Sequence, residues 1–121
     1  MIRIKVFIII LPLLLSACMH KELKTQSCAG EALMKIYKYD GSVQCDNSSG
    51  IKLHDMEQHL VEAGIDVMCS QQGNDGLLRA MACGMGTGRI NIYTINPANL
   101  NDAKALGFES LSALPDYTLS N

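Results

Sequence analysis

Hydrophobic positions fall into one long run at the start of the chain and several short periodic stretches after it. Positions 6–15 are apolar, broken only by Pro12, and no helical or strand period organises them. Beyond residue 31 the pattern turns periodic. Met34, Ile36, Tyr37 and Tyr39 predict a strand over 34–39, although 31–38 would equally start a helix. Tyr39-Asp40-Gly41-Ser42 is a hairpin-turn signal, with Val43 and Cys45 expected on the returning strand. After the polar stretch 46–50, Leu53, Met56, Leu60 and Val61 fall at i, i+3, i+7 and i+8, which predicts an amphipathic helix over 53–63 stopped by Gly64.

The second half reads as strand 65–70, a turn at Gly73-Asn74-Asp75-Gly76, a return over 77–83, a glycine-rich loop 84–88 and a strong strand 89–95. Asn96 should cap a second helix with Pro97 at its first position and Gly107 at its end. Phe108 should pack back beside that stop, a last short strand is expected near Ser110, and 116–121 reads as a loose tail. The predicted class is α+β, a small two-layer sandwich with two helices on one face of a mainly antiparallel sheet. The folded part should span 31–114, with 115–121 outside it.

The opening run has a function of its own. Arg3 and Lys5 precede it and the small residues Ser16 and Ala17 follow, which is the layout of a secretory signal peptide over 1–17. At about half of the roughly 20 apolar residues that a membrane helix needs, it is too short to span. Leu15-Ser16-Ala17-Cys18 resembles the lipobox of bacterial lipoproteins at every position. The resemblance implies cleavage before Cys18 and a triacylated N-terminus there, a membrane anchor stronger than the two lipid signals that stable attachment takes. Met19, not an aspartate, follows the lipidated position, which by the family's sorting rule implies the periplasmic face of the outer membrane. Residues 18–30 are mostly polar, with only Leu23 strongly apolar, and read as a tether, about 35 to 40 Å long when extended at roughly 3.3 Å per residue.

Length and charge narrow the partners. The 121 residues, 48% hydrophobic and 18% charged, suffice for one small domain. Without Arg3 and Lys5 the processed chain has eight Lys or Arg against twelve Asp or Glu, about −4, so nucleic acid is not expected as a partner. The charges are scattered, with no basic stripe.

With Cys18 given to lipid, Cys28, Cys45, Cys69 and Cys83 remain, and an exported chain permits disulfides among them. Were the 73–76 turn to close a hairpin, facing positions would sum to 149, setting Cys69 opposite Ala80 on the face of Ile65 and Val67. Cys83 would lie on the other face, with Met68 and Met81, which disfavours Cys69 with Cys83. The pairing Cys45 with Cys83 and Cys28 with Cys69 is preferred, and the crossed alternative stays open.

Other chemistry is thinly supported. Zinc at Cys45, His54, His59 and Cys69 is disfavoured, because two histidines five apart on a helix point about 140° apart. Redox catalysis lacks a CxxC pair. Cys83-Gly84-Met85-Gly86-Thr87-Gly88-Arg89 is similar to a phosphate-cradling loop but matches no nucleotide fingerprint and precedes no helix. It is expected to be a strand connection, with Gly84, Gly86, Gly88 and Arg89 a candidate contact for a small anion or peptide. His54, Asp55 and Ser70 have no hydrolase context. Met56, Met68, Met81 and Met85 read as gap fillers. The expectation is a non-enzymatic lipoprotein without cofactor or metal, held to the membrane through Cys18 and binding a protein partner or supporting the envelope. The alternatives are an inhibitor or immunity-type lipoprotein using 84–88 as a wedge, and a thiol-disulfide redox protein.

Overall fold

The computed structural model describes residues 28, 30 and 32–121. The expected signal peptide, Cys18 and most of the expected tether lie outside these residues. Strand β1 (Met34–Tyr39) leads through a long loop to helix α1 (Leu53–Glu62), then to strands β2 (Cys69–Asn74) and β3 (Arg89–Ile95). A 3-10 turn (Pro97–Asn99) opens helix α2 (Leu100–Ala105), and strand β4 (Glu109–Ser110), a second 3-10 turn (Leu111–Ala113) and strand β5 (Thr118–Leu119) complete the chain. The sheet is antiparallel throughout, in the order β4-β1-β3-β2-β5. The fold is α+β, as the sequence pattern predicts.

β3 organises the sheet. Residues 90–95 are all buried, because β3 is central and both of its faces are covered. β1 and β2 flank it and therefore run parallel to each other, joined by α1; β3 and β4 run parallel with β1 between them, joined by α2. The result is two interleaved split β-α-β units. On one face, Ile36, Tyr93 and Ile95 pack with Met56 and Leu60 of α1, Ile65, Ala103 of α2 and Phe108. Tyr93 donates a 2.6 Å hydrogen bond to the carbonyl of Leu53, fastening the first turn of α1 to the central strand. On the other face, Tyr37, Ile90 and Ile92 are covered by Leu111 and Leu114, with Tyr117 packed against them.

Several sequence expectations hold in detail. α1 buries Met56 and Leu60 as its spacing requires, though Val61 at the margin of the arc is half exposed. The Asn96 side chain accepts a 2.9 Å bond from the amide of Ala98, with Pro97 next in line, and Gly107 ends the helix at φ +89°.

Three expectations are corrected. The turn at 39–42 closes no hairpin: Gly41 does take φ +78°, but β1 pairs with β3 and β4, and Val43 bridges to Gly86 instead. The second strand is Cys69–Asn74 instead of 65–70, so Gly73 and Asn74 lie within it opposite Ile90 and Arg89, and no return strand forms over 77–83. The C-terminal stretch is no loose tail, since Thr118 and Leu119 pair with Asn74 and Gly73 and extend the domain past residue 114. That approach is tight enough to need glycine: a Cβ on Gly73 would stand 2.4 Å from the carbonyl oxygen of Thr118.

Candidate functional site

β1 and β2 end, and β3 begins, at the same end of the sheet, so the loops 40–52 and 75–88 meet there. Each is organised by a buried aspartate. Asp40 accepts from the amide of Ser42 at 2.8 Å and pairs with the guanidinium of Arg89, which also donates to the carbonyl of Ser49 at 3.2 Å. Its backbone receives Ile51 at 2.7 Å, so one residue draws both ends of its loop together.

Asp75 does the same for the second loop. Its carboxylate accepts from the amide of Leu77 at 3.0 Å, from the hydroxyl of Tyr39 at 2.8 Å and from both terminal nitrogens of Arg79. The hydrogen bonds from Arg79 outweigh the cost of burial and hold the Asp75 carboxyl at about 2, well below its ordinary 3.8. Tyr39 moves up from its ordinary value, first through burial and then through its bond to Asp75. Gly88 closes over this pair at φ +80°, where a Cβ would lie 2.8 Å from Asp75 Oδ1. Among the described residues, every buried side-chain nitrogen or oxygen has a hydrogen-bond partner.

The two loops are laced to each other. The amide of Gln44 donates to the carbonyl of Met85 at 2.8 Å, that of Thr87 to Ser42 at 3.1 Å and that of Gly84 to Gln44 at 3.1 Å. Across this short ladder the Cys45–Cys83 disulfide closes, with the Cα atoms 5.1 Å apart. Cys28 and Cys69 form the other bridge, 5.7 Å between Cα atoms. The preferred pairing is therefore the one present, but for a reason other than the register argued above. Cys83 sits in a loop, and the strand that was to set its face does not exist.

The sequence-derived candidates fare unequally. Gly86, Gly88 and Arg89 line a cleft of about 170 Å³ with Asp40 and Arg79. The amides of Gly84, Met85, Thr87 and Arg89 are all spent on partners within the loops, and the charge of Arg89 is spent on Asp40.

His54 is well exposed, 3.8 Å from Glu57, and no hydrogen bond among the described residues joins it to Asp55 or Ser70. Cys45 and Cys69, the two cysteines weighed with His54 and His59, belong to different disulfides. Of the methionines, Met56 fills the core, whereas Met81 and Met85 are exposed.

Sequence reasoning missed Asp40, Asp75 and Arg79, and the exposed row Leu77, Leu78, Met81 and Met85. The available signal was glycine density: Gly76, Gly84, Gly86 and Gly88 within thirteen positions favour a structured loop over a strand. Among the described residues no helix is long and apolar enough to cross a membrane. Comparison with protein-family models, curated proteins and solved structures finds no match to this chain.

Proposed function

We propose that the chain is a small lipoprotein, anchored through acyl chains on Cys18 at the periplasmic face of the outer membrane, which acts without catalysis by binding a protein partner in the envelope. The observation that carries this reading is the complete Leu15-Ser16-Ala17-Cys18 motif after a basic start and an apolar run. Two disulfides in so small a domain suit an exported protein, and they engage all four cysteines among the described residues.

Mass spectrometry of the protein from its native membranes tests the anchor. A triacylated Cys18 at the N-terminus is expected, and Cys18→Ser should leave an unacylated precursor that still carries the leader. A mature, acylated, membrane-bound Cys18→Ser protein would overturn the assignment. Density-gradient separation of the two membranes tests the location, with the wild-type protein expected in the outer-membrane fraction.

A further inference from the structure

Four of the eight large hydrophobic residues that the described chain leaves exposed lie within residues 77–85: Leu77, Leu78, Met81 and Met85. Leu78 and Met81 are fully exposed, and Ala80 and Ala82 on either side of Met81 are exposed as well. The segment is nonetheless held in place. The amide of Leu77 donates to Asp75, the Gln44 side chain donates to the carbonyl of Ala80 and accepts from the amide of Ala82, each at 3.0 Å, and Cys83 is bridged to Cys45. An apolar surface ordered before it meets anything avoids much of the entropy cost of docking. Arg79 is the only charged residue in the segment, and it is turned inward onto Asp75. The outward surface is therefore uncharged.

Its position says what it faces. Cys28, where the described chain begins, is bridged to Cys69 at the start of β2, whereas the apolar loop follows Asn74 at the other end of that strand. Six strand residues separate the two ends by about 17 Å at roughly 3.3 Å per residue. A tether from Cys18 would thus join the domain at the end opposite the loop, leaving the loop at the end far from the anchor.

We infer that residues 77–85 form a stapled, uncharged wedge that inserts Leu78 and Met81 into an apolar cleft of another envelope protein. The inference rests on the partner-binding reading above and names its surface and chemistry. Methionine, flexible and polarisable, suits such a contact.

The test is photocrosslinking in the native cells, using the full-length chain with p-benzoylphenylalanine at position 78 or, separately, at the exposed positions 61 and 119. Position 78 should give a discrete adduct with a different protein that 61 and 119 do not give. In the position-78 chain, Met81→Asp should reduce that adduct about tenfold or more, and Met81→Leu should retain it. Both substitutions should leave the melting temperature unchanged, because Met81 contacts solvent.

Adducts at 78 with lipid alone or with a second copy of the chain, or a yield indifferent to Met81→Asp, would overturn the wedge. A protein adduct from 61 or 119 but not from 78 overturns the wedge and leaves the partner-binding reading standing. No protein adduct from any position overturns both.

Discussion

Asp75 shows how one side chain converts burial into order. A carboxylate removed from water is destabilised unless donors replace the lost hydration, and here Arg79, the Leu77 amide and Tyr39 replace it. Its carboxyl titrates at about 2 when folded against 3.8 ordinarily, so between these values the unfolded chain binds the proton that the folded one refuses. The stabilisation is complete above the ordinary value and is lost as the pH falls through 2. Thermal unfolding followed by circular dichroism should show the melting temperature of the wild-type protein dropping between pH 5 and pH 2, and Asp75→Asn should show a shallower drop. Equal slopes would mean that the Asp75 network contributes nothing to acid sensitivity.

Helix α1 is the element whose burial follows most directly from spacing. Leu60 is fully buried, so Leu60→Ala should cost about 2 to 5 kcal/mol in urea denaturation, while Val61→Ala, half exposed, should stay within about 0.5 kcal/mol of wild type. The paired loops 40–52 and 75–88 depend on the staple instead. The Cys45–Cys83 bridge spans 38 residues, and a closed loop of that size is worth nearly 4 kcal/mol in the chain-entropy model. The double variant Cys45→Ala with Cys83→Ala should lose much of that in urea denaturation. Non-reducing peptide mapping of the wild type should recover Cys45 linked to Cys83 and Cys28 linked to Cys69; a Cys69–Cys83 peptide would contradict the loop arrangement.

At the scale of the molecule, the C-terminal stretch covers what the helices do not. Leu111, Leu114 and Tyr117 close the face of the sheet opposite α1 and α2, and Thr118 and Leu119 pair with the end of β2. Ending the chain at residue 116 should therefore destabilise the domain by about 2 to 4 kcal/mol, from lost burial of Tyr117 and lost ladder bonds. It should also produce concentration-dependent association in size-exclusion chromatography, because an uncovered strand edge is a template for pairing. A truncated chain that melts like wild type and stays monomeric would restore the reading of 116–121 as a tail.

Local chemistry by itself determined α1 through the spacing of Leu53, Met56 and Leu60, and β3 through its β-branched and aromatic residues Ile90, Ile92, Tyr93, Thr94 and Ile95. It set the start of the 3-10 turn that opens α2 through Asn96 and Pro97, and the end of α2 through Gly107, because caps and stops act within a few residues. Turn chemistry was also legible: Gly41 and Gly76 both take positive φ. What no local signal contains is which strands a turn will join. β3 offers two edges and two buried faces, and it takes β1 on one side and β2 on the other, so neither turn closes the hairpin that its residues favour. The segments thereby displaced, 42–45 and 84–87, pair with each other, and it is this competition for β3 that brings Cys45 to Cys83 and leaves Leu78 and Met81 facing outward.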